Sequence, residues 1–524
     1  MKFNFQKSAA EESLFLSFFA VLICTLAPFF DFYSANVNER VELYRLFNVW
    51  WMVVVTLVIA IALMRVILPK TKIWKLATIL LIALWLFNSY YLIKPHTTLQ
   101  QEAHYLSKYY MAAIVVIGLV GYLLIRYKAV LLFMLFAAIG SIISSAWSIS
   151  GNITTISERK VTTSSVLDLK LVTKPNIYWI ILDGYPGKSV LQDFFTYNND
   201  EFYQLLDDKG FNVAHDALST HPSSIYSVAT TLSMSHILDE TTSLEKGRDL
   251  GSLRTIIKGK NPLVKALKAQ GYTYVHFANG YDFMTLCGPD MDRCVEGNKG
   301  FDEVSLALLQ RTPVIDYLLL DTSVTEVPEG DAFDWGGVND LNRMLDDIMD
   351  TPSPHFAYAH IISPHPPMRF DADCDRRAFF PDLKTWNFEM KDDFIEQLKC
   401  VNTRIEETME RIIDRDENAV IIIQSDHGAA FQKQFVTAPE DWTESQFFER
   451  FSVLDAIRMP QGCDEHLDGR LNLINTFPRV LNCLSKQKIQ LLEDQNFISL
   501  YDNHQDFGRL FKSSYAQQKK QSAN

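Results

Sequence analysis

The sequence has no surplus of positive charge. Its formal net charge is −13 over 524 residues, which excludes a surface built to hold polyanionic nucleic acid. Seven cysteines are present, none spaced as a CxxC pair, so a zinc cluster assembled from such pairs has no sequence basis. No internal repeat is evident. The first apolar run lacks a small-residue cleavage site, which argues against a cleaved signal peptide.

Apolar residues make up 48% of the chain and crowd into its first 150 positions. Five runs, at about 13–31, 47–68, 74–93, 109–126 and 129–149, approach or exceed the ~20 residues that cross a bilayer. Trp and Tyr stand near several of their ends, as membrane interfaces favour. Lys2 and Lys7 precede the first run, Arg65, Lys70, Lys72 and Lys75 separate the second from the third, and Arg126 and Lys128 separate the fourth from the fifth. Alternating spans put these on one side, and the positive-inside rule makes that side the cytoplasm. Everything after residue 150 is then exported. The expected organisation is a five-helix transmembrane domain over 1–150, a Ser- and Thr-rich linker over 151–173, an extracytoplasmic domain over 174–505 and a polar tail over 506–524.

Cysteine usage agrees with export. Cys24 lies in the first run, whereas Cys287, Cys294, Cys374, Cys400, Cys463 and Cys483 all lie in the exported part. An even number suits disulfides in an oxidising compartment, and 287/294, 374/400 and 463/483 are the simplest of fifteen pairings. Scattered free thiols are the alternative.

The exported part reads as an α/β domain with a mostly parallel sheet sandwiched by helices. "NIYWIILD", "YTYVHFAN", "HFAYAHIIS" and "AVIIIQ" read as strands. "SVLQDFFTYNNDEFYQLLDDKG" reads as a helix with a glycine stop. "FIEQLKCVNTRIEETMERIID" sets Phe394, Leu398, Val401, Ile405, Met409 and Ile412 on one helical face. Strands and helices alternating in this way imply parallel strands with helices on both faces.

Polar residues gather at the ends of these strands, where open α/β sheets carry their chemistry. Asp183 follows the first strand, Asp426 and His427 follow "AVIIIQS", His360 lies within "HFAYAHIIS", and His365 follows it. Singly, a carboxylate there reads as a turn or cap residue, and His360 as a buried strand histidine. Together, two carboxylates and an imidazole match what zinc or manganese accepts, with an oxygen nucleophile to complete the shell. The stretch "STHPSSIYSVATTLSMSHIL", residues 219–238, offers hydroxyls at the start of a helix. A serine there is either an N-cap or a hydroxyl displayed where the helix dipole favours a phosphate or sulfate.

"KPNIYWIILDGY", "THPSSIYSVATTLSM", "AHIISPHPP", "IIIQSDHG" and "ERFSVLDAIRMP", in this order behind five spans, resemble the membrane-anchored branch of the alkaline phosphatase and sulfatase superfamily. Lipoteichoic acid synthases and lipid A phosphoethanolamine transferases belong to that branch. The resemblance implies Asp183, Ser224, Asp426 and His427 as metal ligands, Ser224 as nucleophile, and His365 as a contact to the substrate head group. Ser223 and Thr220 are the neighbouring alternatives for the nucleophile. The sequence departs from the sulfatase pattern of Cys or Ser, any residue, Pro, any residue, Arg: Thr220 occupies its first position and Ser224 stands where its arginine belongs. No Asp-x-x-x-His supplies the ligands of a second ion, so the expectation is one divalent metal, zinc or manganese.

The implied reaction moves a phosphoryl-linked head group, of phosphoethanolamine or phosphoglycerol type, from a membrane lipid donor to an envelope glycan or lipid acceptor. The resemblance implies a bacterial-type inner membrane, with the catalytic domain periplasmic or extracellular. Water as acceptor would make the same site a phosphodiesterase or sulfatase-like hydrolase. A non-catalytic membrane scaffold is the distant alternative, and it predicts a broken ligand set, whereas Asp183, Asp426 and His427 are all present.

Overall fold

A computed structural model describes residues 5–37, 43–67, 70–93, 100–124, 127–155, 169–215, 217–237, 250–279, 284–296, 303–314, 317, 338–375, 386–438, 441–498 and 511–513. The chain divides into two compact units, Met1–Ser157 with Glu303–Thr325, and Glu158–Asp302 with Glu326–Asn524. Most of the expected linker and of the polar tail lies outside the described residues.

The first unit is helical: α1 Phe5–Ala35, α2 Leu43–Ile67, α3 Lys70–Asn88, α4 Gln100–Leu124 and α5 Tyr127–Thr155. Each of the five apolar runs falls largely within one of these helices. Among the described residues, Ala129–Gly151 is long and apolar enough to cross a membrane, and shorter apolar helices run over Phe19–Ala35, Leu46–Ala60, Thr78–Asn88 and Tyr105–Gly121. Ala20 and Val21, Leu81, and Leu131 and Leu135 bring α1, α3 and α5 together. Trp50 Nε1 donates to Thr25 Oγ1 across 3.1 Å, giving its indole N–H a partner in an apolar setting. The helix Glu303–Gln310 belongs to this unit, far from its neighbours in sequence. Just after it, Arg311 forms an ion pair with Asp31 at 2.5 Å and stacks over the Tyr91 ring at 4.2 Å.

The second unit is built on a seven-stranded sheet: β1 Ile177–Leu182, β2 Phe211–Val213, β3 Thr273–Ala278, β4 Arg293–Glu296, β5 His355–Ile361, β6 Val420–Gln424 and β7 Asp455–Arg458, in the order β2-β7-β6-β1-β5-β3-β4. The five strands from β6 to β4 run parallel, and β7 and β2 close one edge antiparallel. β1, β5 and β6 are buried along their whole lengths, which accounts for their largely apolar composition. The helix Lys391–Arg415 buries Phe394, Leu398, Val401, Ile405, Met409 and Ile412 against one sheet face, the stripe its spacing sets out.

The expected helix over residues 189–210 is instead two short ones, Lys188–Asp193 and Asp200–Asp208. Thr196 between them is left-handed at φ 57°, and the Asn199 side chain donates to the Tyr185 hydroxyl rather than supporting a helical turn. Gly210 ends the second helix at φ 81°. Within the expected tail, Phe511–Ser513 pairs antiparallel with Asn496–Ile498.

Three disulfides close neighbouring loops: Cys287–Cys294, Cys374–Cys400 and Cys463–Cys483. Peptide mapping without reduction is expected to recover these three linked pairs and to leave Cys24 as the thiol that alkylates after denaturation. A different pairing, or six further free thiols, would contradict the arrangement.

Candidate active site

The three central strands aim their carboxyl ends at one point. β1 lies between β6 and β5, with Ile181 opposite Gln424 on one side and His360 on the other. Asp183, one residue past β1, and Asp426 and His427, just past β6, therefore emerge beside the last turn of β5. Backbone bonds fix these exits. Asp183 N–H donates to Ile361 O at 2.8 Å, and Tyr185 N–H donates to Ser425 Oγ at 2.9 Å, whose own hydroxyl donates to His427 O. Gly184 turns the chain at φ 74°, where a Cβ would come within 2.9 Å of the Trp386 ring. A ring of hydrogen bonds among Tyr185, Asn199 and Asn402 ties this turn to the helix Lys391–Arg415.

The side chains converge. His360 Nε2 lies 3.4 Å from Asp183 Oδ2 and 3.7 Å from Asp426 Oδ2. His427 Nε2 lies 3.3 Å from Asp183 Oδ1, 3.6 Å from Asp426 Oδ2 and 3.2 Å from Ser224 Oγ. All five residues are buried. Ligand atoms of Asp183, His360 and Asp426 lie within 4.8 Å of one another. At that separation two carboxylates repel by roughly 3 kcal/mol even at an effective dielectric of about 20, before the cost of desolvating each.

Two observations say that a cation fits. Asp183 Oδ1 and Asp426 Oδ2 are buried without a hydrogen-bond partner, which is costly for a carboxylate oxygen unless an ion meets it. His427 Nδ1 lies 3.0 Å from Gly428 O. A carbonyl only accepts, so Nδ1 carries the proton and Nε2 turns its lone pair to the cluster. The Tyr358 hydroxyl lies 3.3 Å from His360 Nδ1 and buttresses the second imidazole. Burial, reinforced by the Arg450 guanidinium, pushes His427 down to about 4, so its imidazole is neutral near pH 7. Burial disfavours ionised Asp183, but the imidazoles of His365, His427 and His360 outweigh it and hold the carboxyl below its usual range.

Ser224 is the first residue of the helix Ser224–Ser233, and Ser223 is its N-cap with no side-chain capping bond. Thr220 donates to Asn472 Oδ1 at 2.9 Å, a contact away from the cluster atoms. His365 N–H donates to Asp183 O at 3.0 Å, and its ring stands edge-on to Trp386. His360, read from the sequence as a buried strand histidine, is fully buried and is also part of the cluster. Sequence reasoning missed Arg450. Its Nε donates to Pro222 O at 2.6 Å and its Nη1 to Gly428 O at 2.8 Å, joining the serine loop to the end of β6. The available signal was a charge on the apolar face of the helix Glu444–Phe451, beside buried Phe447 and Phe451. Gly428 must be glycine there, since a Cβ would fall 2.2 Å from Glu449 O.

A strand-end cluster of two aspartates, two histidines and a serine on a mostly parallel sheet defines a metal-site hydrolase or transferase class. The Sulfatase family model matches residues 175–484, and the chain belongs to that family of enzymes. No curated protein matches the chain. Among solved structures, the soluble domain of lipooligosaccharide phosphoethanolamine transferase A from Neisseria meningitidis is similar at 12% identity, over 61% of this chain and 92% of that one, with a TM-score of 0.40. The integral membrane form of that transferase aligns at 15% identity over 90% of this chain and 95% of that one, with a TM-score of 0.41. The phosphonate monoester hydrolase of Agrobacterium radiobacter aligns at 13% identity over 63% and 81%, with a TM-score of 0.36.

Metal analysis of protein purified without added metal is expected to find about one divalent ion per chain. Asp426→Asn and His360→Ala should each weaken retention about tenfold or more. Full retention by both variants would contradict a site at this cluster.

Proposed function

We propose that the enzyme transfers a phosphoryl-linked head group from a membrane lipid to an envelope acceptor through a covalent intermediate on Ser224. The observation that carries this reading is the Ser224 hydroxyl. It sits at a helix N-terminus, 3.2 Å from His427 Nε2 and beside carboxylate oxygens that lack a hydrogen-bond partner.

Asp183, Asp426, His427 and Ser224 would hold one zinc or manganese ion, with His360 as a further ligand. Such an ion would neutralise the carboxylates, lower the pKa of the serine hydroxyl and polarise a phosphoryl oxygen. The protein's own groups do the rest. The first backbone N–H groups of the helix Ser224–Ser233 receive the phosphoryl oxygens. Ser224 Oγ, its hydroxyl proton lost to solvent, attacks phosphorus in line, the Oγ–P bond forms, and the bond from phosphorus to the lipid oxygen breaks. His365 Nδ1 donates to Pro366 O at 2.7 Å, so with the ring protonated at both nitrogens it is the Nε2 proton that passes to the departing lipid alcohol, leaving the neutral ring to take the proton of the acceptor hydroxyl. An acceptor hydroxyl then attacks phosphorus and releases Ser224.

A membrane setting follows from the same reading. Five helices embed the chain with its N-terminus in the cytoplasm and residues beyond 150 outside. The Arg311 contacts support this topology. Asp31 near the end of α1 and Tyr91 beyond α3 meet one guanidinium, as the ends of two spans separated by two crossings must if they share a membrane face. Family membership also favours a second reading, hydrolysis, in which water takes the place of the acceptor.

Mixing purified protein with membrane lipid extract and recording the mass of the peptide containing Ser223 and Ser224 tests the proposal. A head-group phosphate adduct on Ser224, absent in Ser224→Ala along with a loss of turnover of about 10³-fold or more, is the expected result. Free head-group phosphate without an acceptor-linked product would select hydrolysis. An adduct on Ser223, or unchanged turnover in Ser224→Ala, would overturn the assignment.

A further inference from the structure

The loop after β5 carries His365 and is gripped from outside by a side chain of the long helix. Gln397 lies on the helix Lys391–Arg415 and is completely buried. Its Oε1 accepts from Arg369 N–H at 2.6 Å and from Phe370 N–H at 3.2 Å. Its Nε2 faces Pro364 O at 3.0 Å, His365 O at 3.4 Å and Met368 Sδ at 3.6 Å. One amide thus serves donors and acceptors on both sides of the Pro366–Pro367 corner. Three residues further along the helix, Cys400 is bonded to Cys374 at the far end of the same loop. A glutamine on the apolar face of an amphipathic helix has no packing advantage over leucine. Its value here is the set of loop groups it satisfies, which would otherwise be buried unpaired.

We propose that Gln397 is the positioning residue for His365, with the Cys374–Cys400 disulfide closing the loop onto the same helix. The proposal rests on the reading of His365 as the group that meets the substrate. Gln397 itself does not touch the cluster. Its amide meets the carbonyls of Pro364 and His365 and the N–H groups of Arg369 and Phe370, while Asp183 O holds the His365 N–H from the other side. His365 is thereby clamped between the exit of β1 and the long helix. The ring itself is held by Nδ1, which donates to Pro366 O at 2.7 Å, and by the edge of Trp386 at 5.0 Å between centroids. Proton transfer depends on placing the ring within a fraction of an ångström, so loosening the loop should act on turnover more than on substrate affinity.

The test compares wild type, Gln397→Leu, Gln397→Glu, His365→Ala and the Gln397→Leu/His365→Ala double variant, each full length in detergent. Two readouts are used: turnover of the chromogenic diester bis(p-nitrophenyl) phosphate, and hydrogen exchange of the peptides spanning residues 363–373 and β5. Gln397→Leu is expected to lower kcat about 10- to 100-fold with little change in KM, and to add less than about twofold once His365 is already alanine. Exchange at 363–373 should rise while β5 is unaltered. Gln397→Glu keeps the acceptor for Arg369 and Phe370 and loses the amide donor. It serves as the decisive variant if the leucine form does not fold, and a smaller fall in kcat than a fully opened loop gives is expected.

Equal losses in the wild-type and His365→Ala backgrounds would overturn the proposal, as would unchanged exchange at 363–373. If the wild type turns over no diester, the catalytic reading of the site fails. The exchange result still decides separately whether Gln397 holds the loop.

Discussion

The second unit is organised around an electrostatic problem. Two aspartates stand at the ends of adjacent buried strands, close enough to repel and too deep for water to screen them. No lysine or arginine is paired with either among the described ion pairs; the partners there are imidazoles. A cation between them relieves the repulsion and uses oxygen atoms that otherwise have no partner. The surrounding residues make sense as consequences. β1, β5 and β6 are buried throughout, and strands close-packed on both faces make a mount that holds converging charges in place.

Around that centre lies a layer of groups that set geometry. Arg450 spans from Pro222 O to Gly428 O, so the serine loop and the Asp-His strand end share one guanidinium. Gly428 O in turn fixes the His427 tautomer. Glu449, the preceding residue, accepts from Phe431 and Gln432 N–H and from the Gln434 side chain. Burial raises its carboxyl above the ordinary value. Below the site, Asp455 accepts from Gln424 and Arg470, and Gln424 accepts from Trp179. Polar networks of this kind are stable only when fully satisfied, and here they couple the sheet to the loops that carry the chemistry.

What the sequence made legible was local. Apolar runs ending in Asp183 and in Asp426–His427 identify strands and their exits, and the stripe from Phe394 to Ile412 identifies the long helix. Neighbouring cysteines pair as their spacing suggests. Strand order was not legible, and this is why His360 read as a core residue: only the β1–β5 register sets it beside Asp183. Arg450 and Gln397 were hidden for a related reason. Each sits on the apolar face of its helix, and each has partners that are carbonyls and amides far away in sequence, to which residue type gives no clue. The attachment of Glu303–Thr325 to the helical unit is likewise a tertiary choice. The broken helix over 188–208 failed through Asn199, whose side chain has a tertiary partner that outweighs local propensity.

The most direct test of the account is anomalous X-ray scattering, recorded at the zinc and manganese edges, from crystals of the full-length protein grown without chelator. The account predicts one strong peak within bonding reach of Asp183, Asp426 and an imidazole, next to Ser224 Oγ. No peak there after soaking in either metal, or a peak held only by other residues, would contradict it.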